Sequence, residues 1–141
     1  MNRTSLLAAL TGLLALSTPA CAPEKPRALI VADGSGTVHA PAVEQRVKLY
    51  EKRSGRPVKV LLVTAPQAIT LASRGEADVA VVPMDIPIDT FLAPEHGTVA
   101  GLLDSGGERL RILEVNAKQH PKVDPKGAHD LSSALTLPPP K

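Results

Sequence analysis

The sequence predicts an α/β fold: a three-layer single lobe whose mostly parallel sheet of about four to five strands is flanked by helices. Three observations predict it. Short apolar runs recur at 28–32 and 78–83, the pattern of strands buried on both faces, and PVKVLLVT at 57–64 reads as a further strand. Segments of helical period lie between them. The resulting order, strand–helix–strand–helix–strand, calls for parallel neighbours joined by right-handed crossovers.

The first run, ALIVA (Ala28 to Ala32), is followed by the glycine-rich loop DGSGTVHAP. A helix then runs through AVEQRVKLYEKRSG, with Val43, Val47 and Tyr50 on one face. Pro41 sits where a first-turn proline is tolerated, Lys52 and Arg53 suit the negative end of the helix dipole, and Gly55 can take a left-handed cap. PVKVLLVT (Pro57 to Thr64) reads as the second strand, and Pro66 opens a second helix through Gln67, Ile69 and Leu71. In RGEADVAVVP, Arg74 closes that helix, Gly75 caps it, and DVAVVP is a third buried strand. From Met84 to about Leu110 the regular pattern stops, with a short apolar helix expected near Val99 to Leu103. LRILEVN (Leu110 to Asn116) reads as a fourth strand, and a final helix is expected from Lys126 to about Thr136, ended by LPPPK.

Residues 1–20 have the layout of a secretory signal: one early charge at Arg3, an apolar run from Leu6 to Leu16, then small residues. The run is too short for a spanning helix. Cys21 is the only cysteine, so no internal disulfide can form. Small residues, then Cys21, then the polar tether APEKP resemble the processing site of a bacterial lipoprotein, which implies lipidation of Cys21; Thr18 and Pro19 depart from that pattern. Plain cleavage around Ala20 or Ala22 is the alternative. Both place the protein in the periplasm or cell envelope. The expected organisation is a leader at 1–20, a tether at 21–27, one domain at 28–136 and a tail at 137–141.

The net charge of +2, without a basic stripe, gives no electrostatic case for nucleic acid. Tyr50 and Phe91 are the only aromatic residues among Phe, Tyr and Trp, so stacking on bases or sugar rings has little to work with.

The loop from Asp33 to Thr37 can cradle an anion: Gly34 and Gly36 permit a nest of backbone N–H groups, the following helix adds partial positive charge, and Ser35 and Thr37 add hydroxyl donors. An ordinary βα turn would need the glycines too, and the Asp33 carboxylate opposes an anion. Asp33, Ser35 and His39 invite a catalytic triad, but Gly34-Ser35-Gly36 lacks the G-x-S-x-G elbow and no oxyanion partner is evident, so no enzyme is expected. His39, His96, His120 and His129 show no metal-ligand spacing, His120 and His129 being expected at the surface, and Gly34 to Thr37 lacks a P-loop lysine. No metal or cofactor is expected.

Two segments carry a family likeness: KLYEKRSGRPVKVLLVTAPQAITLASRGEADVAVVP and EVNAKQHPKVDPKGAHDLSSALT. They resemble the type 2 periplasmic solute-binding fold, and specifically the tungstate/molybdate-binding proteins of ABC importers. The resemblance implies a periplasmic-binding-protein-like domain, an oxyanion ligand and an ABC permease partner. It also implies ligand contacts from Gly34, Ser35, Gly36 and Thr37, with Thr64 and Gln67 in support. Two departures stand out. Where that family carries a second lobe, this chain has only a bypass at 84–109. Where the family has Gly-Thr-Gly before Gln-Ala, this chain has Thr64-Ala65-Pro66, and Pro66 has no N–H to donate. Weakened oxyanion binding is the first expectation. The alternative is a degenerate lone lobe serving as a protein-interaction module, with Ile86, Ile88, Phe91 and Leu92 covering the rim or meeting a partner.

Overall fold

The computed structural model describes residues 26–136 and 138. The leader at 1–20, Cys21, most of the tether and all of the tail but Pro138 lie outside the described residues. In chain order the elements are β1 (Leu29–Asp33), α1 (Ala40–Ser54), β2 (Val58–Leu62), α2 (Ala65–Ser73), β3 (Val79–Pro83), α3 (Asp89–Leu92), β4 (Gly97–Ser105), β5 (Glu108–Val115) and α4 (Pro125–Thr136). They form one five-stranded sheet in the order β2-β1-β3-β5-β4. α1 packs beside α4 and α2 beside α3, which gives the three layers of an α/β fold.

The first half follows the sequence closely. β1 and β3 are almost wholly buried, as continuous apolar runs require. Val43, Val47 and Tyr50 are the buried residues of α1, and Gly55 takes the left-handed cap at φ 69°. At the end of α2, Arg74 is the C-cap and Gly75 follows at φ 69°. The Gly75 N–H donates to Ala72 O and the Glu76 N–H to Leu71 O, the pair of bonds of a Schellman motif. A side chain at Gly75 would also fall 2.6 Å from His120 Cβ, so the turn is packed as well as left-handed.

The second half corrects two expectations. The pairing is mixed rather than mostly parallel: β1 pairs with β2 and β3 in parallel, whereas β3–β5 and β5–β4 are antiparallel. The expected helix at Val99 to Leu103 is instead part of β4. Both corrections have one cause. Gly106 and Gly107, at φ 60° and 87°, form the two-residue turn of a β-hairpin, so β4 and β5 are adjacent and antiparallel without any crossover helix. Five apolar residues with no cap cannot hold a helix against that pairing.

Below the sheet, α4 is anchored by Asp124, which accepts from the Gly127 N–H at 3.0 Å and from Arg56 Nη1 at 2.5 Å. These two bonds, the amide first, hold the Asp124 carboxyl below its ordinary value. A carboxylate with a depressed folded pKa contributes stability that is fully present above the unfolded value and lost as pH falls through the folded one. Urea midpoints of the wild type and Asp124→Asn should therefore differ most from about pH 5 upward and converge near pH 2. A constant difference across that range would show the contribution to be uncharged.

Candidate functional site

The β1 loop and the start of α2 meet above the carboxyl ends of β1 and β2. Gly34 is what lets them meet. Its N–H donates to Val81 O at 2.8 Å, and a Cβ there would stand 2.7 Å from Ala65 Cα. The two strands pass the chain to helices on opposite sheet faces, opening a crevice in the position where open α/β sheets take ligands. The crevice measures about 620 Å³ and is lined by Asp33, Gly34, Gly36, Thr37, Ala40, Pro41, Glu44, Leu62, Val63, Thr64, Ala65 and Gln67. Five of the six residues named from the sequence, Gly34, Gly36, Thr37, Thr64 and Gln67, thus share one wall or another of it.

Ser35 is the exception. It is buried, its N–H donates to Asp33 Oδ1 at 3.0 Å and its hydroxyl to the same oxygen at 2.5 Å. Both donors are spent on holding the loop. Asp33 itself is 1 % exposed, and its Oδ2 has no hydrogen-bond partner among the described residues. At the opposite wall Thr64 and Gln67 form a capping box: the Gln67 N–H donates to Thr64 Oγ1 and the Thr64 N–H to Gln67 Oε1. That arrangement leaves the Gln67 side-chain NH₂ and the Thr64 hydroxyl hydrogen as donors, beside the exposed Thr37 hydroxyl.

Charge does not draw an anion here. Asp33 and Glu44 are the ionisable lining residues, and Glu44 is paired with Lys48 at 2.8 Å. An anion would rely on neutral donors: hydroxyls, the Gln67 amide and backbone N–H groups at the loop. No residue of 84–109 lines the crevice, so the bypass does not close it.

The bypass instead reaches the far end of the loop. His39 Nδ1 lies 3.0 Å from Ser105 Oγ and His39 Nε2 2.9 Å from Glu108 Oε2, so the β4–β5 turn clasps the start of α1. His39 is committed to the hairpin, not to Ser35. Nothing in the sequence spacing announced this clasp. Ile88 and Phe91 are buried in the core and Leu92 is partly exposed, so the bypass covers the sheet with its own apolar residues.

Two further features lie at the opposite end of the strands. His96 Nδ1 and His120 Nε2 are 3.1 Å apart, which puts His120 inside a part-buried pair rather than at the open surface. Burial first, and then the neighbouring His96, holds His120 below the ordinary histidine value. No group of three or more metal-binding side chains occurs among the described residues. A depression of about 520 Å³ beside Arg27, Arg74, His120 and Lys122 is floored by an Arg27–Asp78 pair whose groups already satisfy each other.

No protein-family model matches the chain, and neither does any curated protein. Among solved structures it is similar to a conserved protein of unknown function from Vibrio parahaemolyticus, with a TM-score of 0.65 and 11% identity over 79% of this chain and 95% of that one. It is also similar to part of the tungstate ABC transporter from Geobacter sulfurreducens, with 23% identity over 55% of this chain and 35% of that one, at a TM-score of 0.46. The first likeness extends over nearly the whole Vibrio protein, and what it shows is a shared fold.

Proposed function

We propose that the chain is an exported, non-catalytic solute-binding domain whose crevice takes a small oxyanion of the tungstate or molybdate type. The observation that carries this reading is the meeting of the Gly34–Thr37 loop and the capped start of α2 on one crevice at the carboxyl ends of β1 and β2. Thr37, Thr64, the Gln67 side-chain amide and the loop N–H groups are the donors. Ser35 acts one step back, fixing the loop through Asp33. The family resemblance of the two sequence segments supplies the oxyanion and, with it, a permease partner at the membrane, reached by a lipid on Cys21.

Binding should be weak. Hydrogen bonds exposed to water contribute little net free energy, and Asp33 and Glu44 oppose an anion. The separation of His39 from Ser35 supports the non-catalytic part of the proposal.

Isothermal titration of the purified protein against tungstate, molybdate, sulfate and phosphate tests it. Saturable heat is expected with tungstate or molybdate, and Thr37→Val combined with Gln67→Ala should weaken it about tenfold, roughly 1.4 kcal/mol. No heat with any oxyanion, from protein with an intact circular dichroism spectrum, would sink the reading.

A further inference from the structure

The sheet has two edges, and they are built differently. β4 carries a bulge between Val99 and Gly101 and holds the exposed charge of Asp104. Those are the features by which edges avoid pairing. β2 is regular: its five residues run in unbroken register against Leu29–Asp33. Leu29 N–H donates to Pro57 O and Val63 N–H to Asp33 O, so odd-numbered residues face β1. The backbone groups of Val58, Val60 and Leu62 therefore face outward.

Not all of that edge is free. The Val58 N–H donates to Glu51 Oε1 at 2.7 Å. Beyond the strand, the Thr64 N–H is held by Gln67 and the Thr64 carbonyl by Ala68. Among the described residues, the stretch of this edge with both N–H and C=O open is Val60 to Leu62. It ends in exposed apolar surface, Leu62 being 70 % exposed. A groove of about 370 Å³ runs between this strand and α1, lined by Val47, Val58, Val60 and Leu62 and rimmed by Glu44, Lys48 and Glu51.

We propose that β2 is a self-association edge, pairing antiparallel with β2 of a second copy about a two-fold axis at Leu61. In that register Val60 of each copy pairs with Leu62 of the other. The open N–H and C=O groups exchange four backbone hydrogen bonds, and the groups already held at Val58 and Thr64 are left alone. The two Leu61 side chains meet at the axis. Each Lys59 falls opposite Val63, so the like charges do not face one another. A register centred on Lys59 would place them together.

The charges on α1 favour a second copy over a partner of one sign. The same two-fold brings the two α1 helices alongside, and on the rim Glu44 is already paired with Lys48 and Glu51 with the Val58 N–H, so no excess of one sign is left to select a partner of the other. The open stretch is also as short as the strand it would meet. A longer partner strand would run into the occupied groups at both ends. The pairing joins two five-stranded sheets into one.

The test is the mass of the full protein by sedimentation equilibrium from about 5 to 500 μM, a span chosen for an interface of modest area. A concentration-dependent dimer is expected. Val60→Pro removes an N–H that β1 does not use, at the solvent side of an edge where proline is tolerated. It should weaken dimerisation at least tenfold while leaving the far-UV spectrum of the monomer unchanged, with a lowered melting temperature because Val60 packs against the core. Leu62→Lys, at an exposed position, gives the same readout without touching the backbone. A wild type that stays monomeric throughout overturns the proposal, as does a dimer that survives both substitutions.

Discussion

Asp78→Ala is expected to cost about 3–5 kcal/mol, because it orphans donors on three separate parts of the chain. Asp78 is 1 % exposed and precedes β3. Its Oδ2 accepts from the Ile30 N–H at 2.8 Å and from Arg27 Nη1 at 3.0 Å, while Oδ1 accepts from Arg27 Nη2 at 2.6 Å and, more distantly, from the Asp124 N–H at 3.4 Å. The carboxylate thus ties the chain before β1, β1 itself and the start of α4 to one point. The Arg27 side chain is 43 % exposed, so the ion pair is partly screened and is the smaller contribution. The larger one is the Ile30 N–H, which loses its acceptor inside the sheet. Asp78→Asn should recover only part of the loss, since its NH₂ replaces an acceptor with a donor facing the same N–H groups. Arg27→Ala should cost less than either. Urea midpoints at neutral pH give all three values, and equal losses for Asp78→Ala and Arg27→Ala would return the weight to the ion pair.

The network around Asp78 also marks where sequence reading stops. β1, α1, α2 and β3 were legible because each is specified within its own few residues: apolar runs, a helical stripe, Pro at the start and Gly at the end. Asp78 in RGEADVAVVP reads locally as no more than the polar approach to a strand. Its partners are Arg27, the Ile30 N–H and the Asp124 N–H, 51, 48 and 46 residues away. No spacing within a window of helical or strand period can reveal such a pair. The hairpin is different, for it was visible. Gly106-Gly107 between two apolar stretches is a recognised signal for a two-residue turn. Val99, Leu102 and Leu103 also imitate a helical stripe over one turn, which competes with that signal. Length should have decided, since a single uncapped turn has no stability of its own.

The candidate crevice was half legible for a related reason. Glycines and hydroxyls after a strand point to a loop that can approach a ligand, and five of the six chosen residues do line the space. Which hydroxyls remain available depends on neighbours two or three residues away. Asp33 takes both donors of Ser35, and Gln67 takes the Thr64 N–H. Aspartate two residues before a serine N–H is a familiar turn former. That rule could have assigned Ser35 to the loop rather than to the ligand.

Phe91→Ala carries the second large expected loss, about 3–5 kcal/mol. Phe91 is fully buried in α3, a helix of four residues that has no stability by itself. What holds α3 is the ring. It packs against the bare backbone of Gly97, where any Cβ would collide with it and with the Glu114 carbonyl, and its centroid lies 6.5 Å from that of His96. Truncation opens a cavity at the point where the bypass enters β4, and the sheet there is held by backbone pairing to β5 that cannot close the gap. The loss should therefore spread: amide exchange in α3 and the first half of β4 should accelerate well beyond that in β1 and β3. The result decides what the bypass is. A large, cooperative loss means that 84–109 is part of the single core. A loss below about 1 kcal/mol with unchanged exchange in β4 would mean that the hairpin stands on β5 alone and that α3 is an appendage.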